Sequence, residues 1–336
     1  MLNLPPIVTS GVDSEYVLSG LSHYLRSAGY EVYELDFATF HDDPVPLLKS
    51  LRKNAIYITS AHTNLTCTTA NYLVPEFPKI YPNYLAPIEI IPILNPKLSI
   101  YIPHDLLTPY GDTNLAELRF LDLFDHILVP TSHDKRILET VLPPSTQIHC
   151  AGWIKYVKKD QILSEQRTFP ILLFISMIGH LRARYGADGI VDYLRPLLTP
   201  ETYIKLPAWK NVDLIEEALR KQTQAQVIPS DENSITLIQQ AELVVCNGAS
   251  SIHAEATLMR KPTVCLLDVE GVTPAFQRKK LQHLDNIYFH DYSQKAPIPR
   301  SLVTQLKQQC KKAPLEVLQP FSYQAVLSFL CARENA

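Results

Sequence analysis

Glycine is scarce in this chain, at 10 of 336 residues. No glycines form the G-x-G-x-x-G run of a dinucleotide fingerprint, and neither G-x-x-x-x-G-K-[ST] nor H-E-x-x-H is present. The six cysteines (Cys67, Cys150, Cys246, Cys265, Cys310 and Cys331) are scattered and make no C-x-x-C pair. A zinc cluster is therefore not expected, and the thiols in apolar runs read as reduced and buried. There is no basic-then-apolar leader after Met1 and no apolar run near ~18 residues, so a cytoplasmic protein without a membrane span is expected. Charge of one sign is lacking too. With 31 basic and 34 acidic residues the net charge is −3, which gives no bulk field for nucleic acid or a membrane surface.

What is present is an ordinary soluble composition, 46% apolar and 19% charged. The length exceeds what one core usually supports and predicts two domains. The 26 prolines crowd between Val74 and Pro109 and at strand ends, as rigid irregular loops require. Around them the chain alternates. Short apolar strands are expected over 7–9, 31–35, 55–59, 98–102, 126–130 and 147–150. Helices are expected over 14–28, 46–53, 115–124 and 133–141; the first carries Val17, Leu18, Leu21 and Leu25 at helical spacing and stops at Gly29. The stretch 64–96 reads as a long loop with one short helix.

A charged segment, KYVKKDQILSEQR, leads to a second alternation. Strands are expected over 171–176, 202–206, 225–228, 243–246, 263–267 and 287–289, with helices over 187–198, 212–221, 235–240 and 251–259. This pattern predicts an α/β fold with two Rossmann-like, doubly wound domains facing a central cleft. The expected domains are 1–153 and 168–312, followed by 313–336, a last helix packing back on them.

In parallel sheets ligands bind beyond the carboxyl ends of the strands. Polar clusters at those ends are Ser10-Gly11-Val12-Asp13, Ser60 to Asn64 with His62, His104-Asp105, Gly179 to Arg184, and Asn247-Gly248-Ala249-Ser250-Ser251. The last leads into a helix. It reads either as a phosphate cradle at a helix N-terminus or as a plain N-cap from Ser250 or Ser251. Glu255, one turn on, is either a ribose acceptor or a first-turn carboxylate favoured by the helix dipole. His104 is the best candidate base, with Asp105 able to orient it. Asp13 and His62 could contact an acceptor, and Arg182 and Arg184 could neutralise a diphosphate. His180 reads the same way. His253, in mid-helix, reads as structural.

Four stretches carry a resemblance. "SIYIPHDLLTPYG", "FDHILVPTSHDKRIL" and "QIHCAGWIKY" resemble the N-terminal half of CDP-glycerol glycerophosphotransferase-type enzymes. "AELVVCNGASSIHAEATLMRKPTVCLL" resembles that family's "aDlvItDySSvifEa…gKPvi" segment, and equally the "DSGGxxEEa…gkPvl" segment of UDP-N-acetylglucosamine 2-epimerases. The match covers roughly 98–156 and 225–268. It departs at Asp105, where the family has glycine, at Asn247, where it has aspartate, and at Gly179-His180-Leu181-Arg182, where the epimerases have HRREN.

The resemblance implies the GT-B architecture and transfer of a group from a UDP- or CDP-linked donor to a hydroxyl acceptor, in cell-envelope polysaccharide chemistry. It implies His104 as base, with Asp105 and Asp13 beside it. Ser250, Ser251, Gly248, Asn247, Glu255, Arg182 and Arg184 would hold the nucleotide, and Ser10, Gly11 and His62 would lie on the acceptor side. No metal or cofactor is required, because helix ends and arginines can meet the phosphate charge. The alternatives are a non-hydrolysing 2-epimerase and an inactive nucleotide-binding regulator of the same fold. The Trp153 region and the last helix offer surface through which two copies could associate.

Overall fold

The structure is a computed structural model. It describes residues 4–11, 18–35, 39–60, 82–103, 115–156, 168–176, 178–207, 212–230, 232–247, 250–267, 278, 281, 284, 287–293, 295–310 and 318–334. The chain divides into two compact units, one of Met1–Leu107, Asn114–Tyr156 and Gln319–Ala336, the other of Thr108–Thr113 and Val157–Leu318.

The first unit is built on a six-stranded sheet of β1 (Ile7–Ser10), β2 (Val32–Leu35), β3 (Ile56–Thr59), β4 (Leu98–Tyr101), β5 (His126–Val129) and β6 (Gln147–Cys150). All neighbours are parallel, in the order β2-β1-β3-β4-β5-β6. Every residue of β1, β3 and β4 is buried, which is why these segments read as apolar runs rather than alternations. The chain winds one way to β2 and then the other way from β3, so the switch point lies between β1 and β3.

The helices are α1 (Ser19–Ser27), α2 (Val45–Ser50), α3 (Pro87–Leu94) and α4 (Ser132–Val141), with a 3-10 helix over Leu115–Leu123 where an α-helix is expected. In α1, Leu21 and Leu25 are buried, as their spacing predicts. The short helix expected somewhere in 64–96 is α3. Proline is tolerated at its start because the first helical N–H needs no partner, and Glu89 accepts from the Ala86 N–H at 2.8 Å.

The second unit repeats the design with β7 (Ile171–Phe174), β8 (Thr202–Lys205), β9 (Gln226–Ile228), β10 (Val244–Asn247), β11 (Thr263–Leu267) and β12 (Ile287–Asp291). The strands are parallel in the order β12-β11-β10-β7-β8-β9, so the switch point lies between β7 and β10. The helices are α5 (Ile178–Leu194), α6 (Asp213–Gln222), α7 (Ser234–Gln240), α8 (Ser251–Leu258) and α9 (Arg300–Cys310).

Alternate residues of one strand feed two cores. Leu173 and Val245 join a cluster with Ile190, Leu219 and Leu306, while Leu172, Val244 and Cys246 join one with Leu237, Ile238 and Ala256. Two elements differ from expectation. Helix α5 starts at Ile178 instead of 187, and is broken at Gly186, whose φ of 66° and ψ of −179° are open to glycine alone. Helix α9, not anticipated from the sequence, buries Leu302 and Leu306 one turn apart.

The end of the chain returns to the first unit. Gly152 has φ 85°, and a Cβ there would lie too close to the Pro320 carbonyl oxygen for any side chain. Only glycine lets the two backbones meet, with Trp153 N–H donating to Gln319 O at 2.8 Å and Ser322 N–H to Ala151 O at 2.7 Å. The last helix, α10 (Tyr323–Glu334), occupies the later part of the expected 313–336 segment. It lays Tyr323 against Tyr24 of α1 and Phe329 against His126 and His149.

Candidate functional site

Backbone pairing between β7 and β10 ends at Cys246 opposite Phe174. Two residues take over where it stops. The Asn247 Oδ1 accepts from the Ser176 N–H at 2.6 Å, and Asn247 Nδ2 donates to Ser176 O at 3.0 Å. The Ser176 hydroxyl donates to the Asn247 carbonyl and lies 3.2 Å from its Oδ1. A carboxamide carries the same donor and acceptor as a peptide group, so Asn247 continues the ladder with its side chain. It is 2% exposed. The side chain of Asn247, one of the residues expected at the nucleotide, is thus bonded to the neighbouring strand.

Ser250 has extended backbone angles and caps α8, its Oγ accepting from the Ile252 N–H at 3.3 Å. Ser251, half-buried, is the first residue of the helix. Beneath them His253 is fully buried. Its Nδ1 lies 3.0 Å from Ser250 O and its Nε2 3.2 Å from Cys246 O. The ring lies between β10 and the cap of α8, with both nitrogens facing carbonyl oxygens and one of them donating. Burial lowers its pKa to about 4, so it is a neutral imidazole donating from one nitrogen only. The structural reading of His253 matches this position. Burial also pushes the Cys246 thiol up to about 12, and Cys265, its register partner on β11, upward as well. Neither thiol is a nucleophile at neutral pH.

Glu255 lies one turn into α8 and is 1% exposed. Solvent does not reach its carboxylate. Arg182 and Arg184, expected in a strand-to-helix turn, fall instead within α5. The Arg184 side chain is exposed, with its guanidinium 5.5 Å from the Tyr185 ring centre. Lys205, at the end of β8, was not among the expected site residues. Its buried ammonium donates to Leu206 O at 2.9 Å and Ser230 O at 2.6 Å, fastening the strand end to the turn after β9. Nothing in the local sequence marks Lys205 or Ser176, since Lys205 reaches Ser230 and Ser176 reaches Asn247, both far along the chain.

The first unit has its own knot at the β1–β3 switch point. The Ser10 hydroxyl is buried, 2.5 Å from the Tyr57 hydroxyl and 3.1 Å from Thr59 Oγ1. Thr59 Oγ1 donates to Ser10 O at 2.7 Å, and the Ser60 N–H to the same carbonyl at 3.1 Å. The Ser10 side chain, expected on the acceptor side, is thus turned inward, and buried Gly11 comes directly after it. Asp13, His62, His104, Asp105 and Gly248 lie outside the described residues, and so does the Arg182 side chain. Among the described residues no group of three or more His, Cys, Asp and Glu is placed to hold a metal ion. No described helix is long and apolar enough to cross a membrane.

No family model matches the chain, and no curated protein matches it. Solved structures do. The chain is 14% identical to S. aureus MnaA, solved with UDP, at a TM-score of 0.58 over 99% of this chain and 97% of that one. It is 12% identical to the Methanocaldococcus jannaschii UDP-GlcNAc 2-epimerase solved with UDP-GlcNAc and UDP, at a TM-score of 0.50 over 97% and 99%. Acinetobacter baumannii MurG matches at 13% identity and a TM-score of 0.45 over 98% and 100%. At these identities the likeness establishes the fold. The chain has the GT-B fold of two Rossmann-like α/β domains, as the two parallel sheets require.

Proposed function

We propose that the chain is an enzyme acting on a nucleoside-diphosphate-linked small molecule, and that the diphosphate is held at the β10–α8 turn. The observation that carries this is the geometry of Ser250. Its oxygen caps the helix with a lone pair, and its hydroxyl, which also contacts the Cys246 thiol, stands at the positive end of α8, where an anion would compete for its hydrogen. The turn lies beside the switch point of a parallel sheet, where such ligands bind. The UDP in the S. aureus MnaA structure supports the ligand class.

In the leading reading the reaction is group transfer from a UDP- or CDP-linked donor to a hydroxyl acceptor. His104 removes the acceptor proton, Asp105 orients its ring, and Asp13, Gly11 and His62 line the acceptor side. Charge developing on the leaving diphosphate is met by Ser250, Ser251, the α8 dipole, Arg182 and Arg184, without a metal. The second reading is 2-epimerisation of a UDP-sugar. It is favoured by the likeness to the Methanocaldococcus jannaschii UDP-GlcNAc 2-epimerase, and its proton transfers would need further carboxylates.

Thermal shift with a panel of UDP, CDP and their sugar conjugates tests the shared premise, since a ligand bound by the native state raises its stability. Stabilisation by one nucleotide series is expected, followed by turnover that His104→Ala abolishes. UDP-sugar turnover that survives His104→Ala and yields a C2 epimer would favour the second reading. Binding with no turnover would leave a nucleotide-binding regulator, and no stabilisation by any nucleotide would sink all three.

A further inference from the structure

At the β6 edge of the first sheet, two histidines share a hydrogen bond under the last helix. His126 opens β5 and His149 lies on β6, both half-buried. His126 Nδ1 and His149 Nε2 stand 3.1 Å apart, so one donates and the other must keep a bare lone pair. Phe329 of α10 covers both rings, its centre 4.8 Å from that of His126 and 4.4 Å from that of His149.

Helix α10 is held differently along its length. At its start, Gln319 O and Ser322 N–H bond to the backbone of Trp153 and Ala151, and the Tyr323 ring lies 5.3 Å from that of Tyr24. The Tyr24 hydroxyl donates to Gln324 Oε1 at 3.0 Å. None of these contacts titrates near neutral pH. Nearly two turns on, between buried Val326 and Leu330, Phe329 rests on groups that do. A helix of 12 residues is marginal in water by itself, so undocking of its second half is also unwinding.

We propose that the His126–His149 pair is an acid-released latch on the second half of α10. With one proton between the facing nitrogens, the rings bond to each other and seat Phe329. With a proton on each, two N–H groups and two positive charges meet at one point, and the rings must turn apart. Phe329, stacked on both, stands in the way, so the second proton is taken up as the helix lifts. Burial holds His149 below the ordinary 6.5, and the Lys135 ammonium of α4 lowers it further. The undocked state therefore takes up the proton first, and the latch is complete above 6.5 and weakens as pH falls below it. Lys135 itself pairs with Glu139 at 3.6 Å, and Asp125, next to His126 in the chain, accepts from the Ser99 N–H and hydroxyl. From α10 the rings meet Phe329; the side chains of Arg333 and Glu334, a turn further on, lie outside those described.

The test is hydrogen exchange of the full chain from about pH 8 to about pH 5, read by mass spectrometry and corrected for the intrinsic exchange rate. Protection of 323–334 should fall at least about threefold across that range, since one linked proton changes opening by up to about tenfold per pH unit, while central strand β3 keeps its protection. His126→Asn/His149→Gln puts amides where the facing nitrogens stand, which keeps a donor and an acceptor and removes the titration. In it, protection of 323–334 should be level with pH. Lys135→Gln removes the cation beside His149 and should move the onset of the fall to higher pH.

Level protection in the natural chain overturns the latch, as does a fall that the double variant keeps or one shared equally by β3. If the double variant lifts α10 at every pH, the Lys135→Gln onset decides: a moved one upholds the latch and an unmoved one overturns it.

Discussion

At the end of β1 a serine hydroxyl meets a tyrosine and a threonine, whereas just beyond the end of β7 a serine meets an asparagine. Both knots fasten the strands that flank a switch point, one in each unit. In the first, three buried hydroxyls satisfy one another and the Ser10 carbonyl. In the second, the amide completes the ladder between the strands and the chain then opens a helix capped by the Ser250 hydroxyl. The same backbone design therefore ends in a knot of hydroxyls in one unit and in a clamped strand pair leading to a capped helix in the other. The difference lies in hydroxyl against carboxamide, and in the helix cap that Ser250 supplies three residues after Asn247.

The largest expected effect that sharpens this contrast is on His253, below the second knot. Its folded pKa of about 4 lies under the ordinary 6.5, so the unfolded chain takes up the proton first as pH falls. Its contribution is complete above the unfolded value and declines toward the folded one, a loss of about 3 kcal/mol between near-neutral pH and about pH 4. Chemical denaturation across that window should show the slope, and His253→Gln should flatten it. A slope unchanged in the variant would mean that His253 is not the group being titrated.

Asn247→Ala comes next. It strips partners from the Ser176 N–H and carbonyl and should cost about 2–3 kcal/mol of unfolding free energy. In the first knot Ser10→Ala should cost about 2 kcal/mol, because it removes the Ser10 bonds to the Tyr57 and Thr59 hydroxyls in a buried site and leaves Tyr57 only Thr59. Adding Tyr57→Phe should then restore part of that loss, a coupling that denaturation of the double variant would read. Crucially for the comparison, Ser10→Ala should leave nucleotide affinity unchanged while Asn247→Ala lowers it. Ser250→Ala is the smallest change, about 1 kcal/mol for a lost N-cap, yet it should weaken nucleotide binding more than its effect on folding suggests.

Much of the scaffold was legible. Continuous apolar runs such as Ile56-Tyr57-Ile58 and Val244-Val245-Cys246 are what a strand buried on both faces must look like, and every expected strand is present. Helix limits were less so. The break at Gly186 hid the first half of α5, because a glycine inside a helical pattern reads as a start rather than an interruption. Helix α9 was not read from the sequence, because polar residues stand between Leu302, Val303 and Leu306. The local chemistry of the site was legible at Ser250, which caps as its position before an apolar helix predicts. Asn247 was not, because its partner Ser176 lies 71 residues away and only the fold brings them together. Helical spacing puts Glu255 one turn from Ser251, as read, but its burial is set by packing that spacing alone does not show.

The most direct test of the account is the affinity of UDP and CDP for the natural chain and for Ser250→Ala/Ser251→Ala, measured by calorimetry near neutral pH. The account predicts binding of one nucleotide by the natural chain and a loss of at least about tenfold in the double variant, from two hydroxyl donors removed at the α8 N-terminus. Binding of equal strength in both proteins, or binding in neither, would contradict it.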